Sequence, residues 1–248
     1  MKKEINKFLY FYRFLATAKM KLVNISKHKN ENNRAYTYRV LKENIMRLNL
    51  KPGESIGEIE LSEALDVSRT PVREAIVKLS EEKLVDVFPQ RGSFVSKINL
   101  NLVEEAVFLR ELCEKKILEI ACKDPASDTL ITELEKNIEY QKIVVNFNRD
   151  LHEFFDLDNY FHTLIFDYYN KKNVWKVIQR LATHYDRLRL IDALERINLE
   201  NTIKQHIEIV NLIKEKNSRK INSLVSKHLF NFKEVINKFM EKYPEYFS

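Results

Sequence analysis

The sequence predicts a mostly α fold in two parts, an N-terminal winged helix-turn-helix followed by an all-α antiparallel helical bundle. Three observations carry that expectation. The three glycines of the 248 residues, Gly53, Gly57 and Gly92, lie between residues 50 and 95, as do three of the five prolines. Beyond Gly92 the apolar residues recur at steps of three and four, the pattern of helices with one buried face. The charge is also divided. Residues 1–98 carry 19 Lys and Arg against 12 Asp and Glu, a net of +7, whereas residues 99–248 carry 23 against 24, a net of −1. One half suits a polyanion and the other does not. With 44% hydrophobic and 31% charged residues, the composition is that of a globular chain and not a disordered one.

Residues 1–33 read as a basic extension, with eight Lys and Arg against two Asp and Glu. Its apolar run Phe8–Leu15 is short, interrupted by Arg13 and not followed by a small-residue cleavage site, so it is not read as a signal peptide. No run approaches the ~20 apolar residues of a membrane span, and a cytoplasmic protein is expected. The extension is either an arm that contacts DNA or a dispensable leader, with Met20 as an alternative start.

Residues 34–97 form the first unit. Val40, Leu41, Ile45 and Leu48 give a helix over 36–50, which Lys51-Pro52-Gly53 ends. A second helix runs from Ile59 to Leu65, with Ile59, Leu61, Ala64 and Leu65 as its apolar positions. Ser68 is placed to cap a third helix, and Pro71 falls in its first turn, where a missing N–H is tolerated. Val72, Ala75, Ile76 and Leu79 face inward, so Arg69, Thr70 and Arg73 share the outer N-terminal face. That is how a recognition helix meets the major groove, and arginine is the commonest reader of guanine. Two β-prone runs, Leu84–Phe88 and Gly92–Val95, flank Pro89-Gln90-Arg91-Gly92 and make a hairpin, the wing, with Arg91 at its tip.

Residues 98–248 form the second unit, read as helices of roughly 18–26 residues broken near Pro125, Arg149, Lys172, Asn198 and Asn217. Its apolar stripes contain polar residues. One runs Leu151, Phe155, Asp158, His162, Ile165, Tyr169; another Ile203, His206, Val210, Ile213; a third Ile221, Val225, His228, Phe232, Val235, Phe239. A carboxylate inside a core is unfavourable unless paired or metal-bound. Three inward histidines and an aspartate on three helices are either hydrogen-bonded core residues or the ligands of a divalent transition metal. Asp158 and His162, one turn apart, can share one ion. On the first helix of the unit Arg110 joins Val103, Ala106, Cys113 and Ile117, and a buried arginine calls for an anion, here that of a small organic acid. His28, His152 and His184 show no such pattern. Cys113 and Cys122, nine residues apart on one helix, are separated by roughly 13 Å and read as two buried free thiols.

The segment Leu50–Val95, above all VSRTPVREA, resembles the winged helix of the GntR family of bacterial regulators. The resemblance implies that Ser68, Arg69, Thr70 and Arg73 contact DNA and that Gly92 approaches the minor groove. Some relatives also read DNA with an arginine on the second helix, and Ile59 stands at that position. FLRELCEKK, DLDNYFHTL, KQHIEI and SKHLF resemble the FCD effector domain of the FadR subgroup. That likeness implies Asp158, His162, His206 and His228 as ligands of zinc, nickel or manganese, and small carboxylates or sugar acids as effectors. It makes Arg110 and Glu114 the family's R-x-x-x-E motif and Asn173 a helix-capping asparagine. The function expected is a homodimeric regulator that binds a palindromic operator in double-stranded DNA and answers to a small organic acid. Two alternatives remain: a regulator whose metal is purely structural, and a helical-bundle metalloenzyme. Against the enzyme, none of the six histidines has a glutamate three residues before it.

Overall fold

The computed structural model describes residues 22, 23 and 25–248. The chain divides into two compact units between Ser96 and Lys97. Most of the basic extension, including Phe8–Leu15 and Met20, lies outside the described residues.

In the first unit, α1 (Asn33–Met46) is capped by Asn32, whose side chain accepts from the Ala35 N–H. The helix is shorter than the apolar spacing suggested. Leu48 takes a left-handed conformation, φ 60°, and Leu50 is the residue that reaches the core. Gly53, at φ 82°, makes the turn that follows, and its N–H bonds to the Val95 carbonyl. A short strand β1 (Ser55–Ile56), unforeseen from sequence, precedes α2 (Glu58–Leu65) and α3 (Arg69–Glu81). Then come β2 (Val85–Phe88) and β3 (Gly92–Val95), in an antiparallel sheet of order β1-β3-β2. Val85 pairs with Val95 and Phe88 with Gly92, so the hairpin turns over Pro89–Arg91. Leu41, Ile45, Leu61, Val72, Ala75, Ile76, Leu79 and Val85 close one core. Only Leu61 and Leu65 of α2 are buried; Ile59 is 48% exposed and Ala64 is also on the surface.

The last third of the basic extension is tied to this unit. Leu22 and Ile25 pack against the core. Buried Asn44 accepts from the Val23 N–H at 2.8 Å and donates to the Val23 and Val40 carbonyls.

The second unit contains α4 (Leu100–Lys123), α5 (Asp128–Asn146), α6 (Leu151–Tyr168), α7 (Lys172–Leu181), α8 (Thr183–Leu194), α9 (Leu199–Lys214), α10 (Ser218–Leu229) and α11 (Ile236–Lys242). Short connections fold them back on one another: α5 packs on α6 and α9, and α4 on α7, α8 and α10. Without glycine, the ends of α5, α6, α8 and α9 use Asn148, Asn170, Arg196 and Lys216 in left-handed backbone. Each end is closed by a six-residue bond, such as Lys171 N–H to the Phe166 carbonyl.

Four expectations are corrected here. The stretch after Lys172 is two helices meeting at Ala182, a joint with no glycine or proline to announce it. The final stripe is not one helix: α10 stops at Leu229, and a 3-10 turn over Asn231–Glu234 carries Phe232. Asn173 does not cap α7, because the cap position is Lys171. Cys122 is buried but Cys113 is only partly so, its inward place being taken by Glu114. Among the described residues no helix is long and apolar enough to cross a membrane.

Candidate metal centre and nucleic-acid interface

On α3 the inward set Pro71, Val72, Ala75, Ile76 and Leu79 is buried as its spacing requires. Ser68, Arg69, Thr70 and Arg73 are consequently all exposed at or near the helix N-terminus. Ser68 holds the cap position with extended backbone, but its hydroxyl makes no bond to the helix. Arg73 is engaged by α2: its Nε donates to Glu58 Oε2 at 2.6 Å. At the hairpin turn, Arg91 lies over the Phe88 ring, 5.4 Å from its centroid, and Phe88 meets Phe94 edge-on. Gly92 has φ +100° and nothing within 4 Å of where a Cβ would stand, so its backbone is open to a close partner. Two exposed groups result, one at the start of α3 and one at the wing tip.

In the helical unit, Asp158 and His162 from α6, His206 from α9 and His228 from α10 come together. One ligand atom from each lies within 4.8 Å of all the others, and all four residues are buried. His206 Nε2 is 3.3 Å from Asp158 Oδ1, and His162 Nε2 is 3.3 Å from His228 Nε2.

The surroundings decide which way each ring faces. Asn137 Nδ2 donates to the Leu157 carbonyl, so its oxygen accepts from Gln141 Nε2. That leaves Gln141 Oε1, 3.0 Å from His206 Nδ1, as an acceptor. His206 must then carry its proton on Nδ1 and a lone pair on Nε2. Gln205 does the same for His228: its Nε2 donates to Asn231, and its Oε1 lies 2.8 Å from His228 Nδ1. For His162 the outer neighbour is Glu114, whose Oε2 is 3.0 Å from Nδ1, an ion-pair contact outside hydrogen-bond geometry that favours a proton on that nitrogen. Three Nε2 lone pairs and one carboxylate oxygen thus converge. Buried Asp158 Oδ1 and His206 Nε2 have no hydrogen-bond partner. Acceptors facing acceptors in a core call for a cation, and this donor set fits a divalent transition metal.

The charge states agree. Burial alone would raise the pKa of Asp158, but the Arg189 charge and the neighbouring histidines hold it well below the ordinary value. Burial lowers the pKa of His206, and burial with two neighbouring imidazoles takes that of His228 well below normal. A deprotonated carboxylate and neutral imidazoles are what coordination requires.

Arg110, read from the sequence as an effector contact, lies deep in the helical unit and does not line the cavity beside the cluster. It is 1% exposed, its Nε is taken by Glu114, and its guanidinium stacks 5.3 Å from the Trp175 ring centroid. Burial would raise the Glu114 pKa, but Arg110 and His162 outweigh that and hold it well below the carboxylate range. Arg110 therefore reaches the cluster only through Glu114. A cavity of about 40 Å³ opens beside the cluster, lined by Asp158, His228, Arg189, Asp192, Thr202 and Phe155 among others. Its arginine is Arg189, bonded to Asp158, to Asp186 at 2.7 Å and to Asn159 at 2.9 Å.

Gln141 and Arg189 were both missed from sequence. Gln141 could have been found, since it interrupts the buried stripe Leu134, Ile138, Val144 of α5 as the histidines interrupt theirs. Arg189 could not, because α8 buries residues on every side and shows no stripe. His184 is a structural residue: its Nδ1 accepts from the Asn99 N–H and lies 3.1 Å from Arg187 Nη2.

Comparison with known proteins covers both units. The model for bacterial regulatory proteins of the gntR family matches residues 34–95, and that for the FCD domain matches residues 105–231. The chain is 29% identical over 211 residues to the HTH-type transcriptional repressor RspR of Escherichia coli (strain K12), covering 85% of this chain and 92% of that one. It is 34% identical over 218 residues to an HTH-type transcriptional regulator in an unstable DNA locus of Streptomyces ambofaciens, covering 87% and 90%. Among solved structures, a GntR transcriptional regulator from Rhodococcus sp. RHA1 shares the fold, with a TM-score of 0.69 and 21% identity over 82% of this chain and 97% of that one.

Proposed function

The chain belongs to the GntR family of DNA-binding transcriptional regulators and carries an FCD effector domain, and on that basis we propose that it is a metal-dependent, ligand-responsive repressor. The observation that carries the reading is the convergence of three Nε2 lone pairs on Asp158 Oδ1, each ring backed at Nδ1 by Glu114, Gln141 or Gln205. Asp158, His162, His206 and His228 hold a zinc, nickel or manganese ion. When bound, the ion supplies a positive pole that a carboxylate can coordinate. The adjoining cavity admits a small organic acid, with Arg189 rather than Arg110 as the residue that orders its wall.

In the first unit, Ser68, Arg69, Thr70 and Arg73 meet the major groove of operator DNA, and Arg91 and Gly92 follow the minor groove. The protein acts in the cytoplasm as a homodimer on a palindromic site, one recognition helix per half-site. A dimer is supported by Phe108 and Leu112 on α4 and Val174 and Val177 on α7, large apolar side chains left exposed on two helices that pack together. Repression is inferred from the Escherichia coli relative, which is a transcriptional repressor.

The test is elemental analysis of protein purified without chelator, alongside the His206→Ala/His228→Ala variant. About one transition metal per chain, lost in the variant, supports the site; no metal in either removes it and leaves the DNA-binding reading standing. A second reading, a structural metal with no small effector, is favoured by the size of the cavity, which takes on the order of three water-sized groups. Operator affinity measured with and without small carboxylates separates the two, because only the first reading predicts a change.

A further inference from the structure

The start of α2 is tied to the recognition helix by one side-chain pair. Glu58, the first residue of α2, accepts from Arg73 Nε at 2.6 Å. Both side chains are solvent-facing, 35% and 63% exposed, so the pair contributes little to stability. Among the described residues neither the guanidinium nor the carboxylate makes another side-chain bond, and the two terminal amines of Arg73 are left free.

We propose that Glu58 is a specificity-determining positioning residue: it fixes Arg73 so that its terminal amines face a guanine end-on. The proposal rests on the reading of Arg73 as a base contact. A guanidinium offers a planar fork, and O6 and N7 of guanine accept two parallel N–H bonds. With Nε held by Glu58, the remaining edge is the Nη1/Nη2 pair, and the long side chain has fewer conformations to lose on binding. A carboxylate near the groove also repels phosphate, so Glu58 works against indiscriminate binding. It favours DNA only where Arg73 finds its base.

The experiment is selection and sequencing of a randomised duplex pool with the full-length protein, with Glu58→Gln, with Arg73→Ala and with the double variant. Arg73→Ala should erase a guanine column from the recovered motif. Glu58→Gln should weaken that same column by roughly three- to tenfold, part of the ~5–150-fold that a bidentate arginine–guanine pair supplies. The other columns should persist, and affinity for unrelated duplex should hold or rise. The double variant should match Arg73→Ala alone. If Arg73→Ala changes no column, the recognition-helix reading fails first. If it erases a guanine that Glu58→Gln leaves intact, this proposal alone fails. A role confined to starting α2, through the favourable placement of an acid at a helix N-terminus, would instead lower the melting temperature of Glu58→Gln and weaken all columns alike.

Discussion

Glu114→Gln removes one charge from the centre of the helical unit and keeps the shape. Glu114 is 2% exposed and Arg110 1%, so neither charge can turn to water. Arg110 Nη2 already lacks a partner, and Gln leaves the guanidinium without a counter-charge. Breaking a buried pair from one side costs about 3–5 kcal/mol. For a unit the size of Lys97–Ser248, at about 2–4 °C per kcal/mol, melting should fall by about 6–20 °C. Replacing both partners, Arg110→Met with Glu114→Leu, should restore most of that loss, since two apolar side chains carry no desolvation penalty. Metal affinity should nevertheless fall in that double variant. Leucine offers His162 Nδ1 no acceptor, whereas glutamine keeps one, and loss of such an outer partner weakens metal binding about 10–100-fold. Calorimetry in chelator reads the first effect and competition titration with a metal indicator the second. Melting of Glu114→Gln within about 1 °C of the parent protein would refute the buried charge pair. Parental metal affinity in the double variant would refute the orienting role.

Three further outcomes are expected. His206→Ala should sharply reduce bound metal, read by elemental analysis of chelator-free protein; full retention would take His206 out of the ligand set. Burial first, and Asp158 nearby, push the Asp192 pKa up to about 6, although Asn198 bonds pull the other way. Folded Asp192 thus holds its proton above the pH at which the unfolded chain releases it. The stability this adds is present below pH ~4 and lost as pH rises through about 6. Chelator-treated Asp192→Asn should accordingly melt above the parent protein at pH 8 and close to it at pH 4. Equal melting at pH 8 would contradict the shift. Asn44→Ala strips the bonds that fasten Val23 to α1, and about 1–3 kcal/mol of stability should go with them, measured by denaturant unfolding.

The recognition helix was legible because Ser68, Pro71 and the spacing Val72, Ala75, Ile76, Leu79 are local signals that all point the same way. The four clustered residues were legible for a different reason: each puts a polar group on an otherwise apolar stripe, and the bundle closes those stripes on one centre. Reading failed where tertiary packing overrides local pattern. Ile59 and Leu48 are apolar yet stay outside the core, and Leu50 is buried instead of Leu48 because the chain turns left-handed between α1 and Gly53. The joint at Ala182 has no breaker residue, so periodicity alone carried the helix through it. The arginine of the cavity wall, Arg189, went unread for want of contrast. Arg110 stands out as a charge on a stripe, whereas Arg189 lies on a helix buried all round, where no stripe exists to interrupt.

An apolar bundle gains nothing in stability from Arg110, Glu114, Asp158, Arg189 and three histidines at its centre; hydrophobic residues of similar volume would serve it as well or better. Their arrangement is instead what a shared ligand site needs. Arg189 bonds Asp158 Oδ2 while lining the cavity, and Asp158 Oδ1 belongs to the metal cluster. In the proposed reading an acid in the cavity and a cation in the cluster would therefore act on the same carboxylate from two sides. Whatever the ion does to the acid's affinity, the acid must do to the ion's by the same factor. In the proposed reading the metal is thus part of the sensing equilibrium, because the residue that holds it is also held by the wall of the cavity.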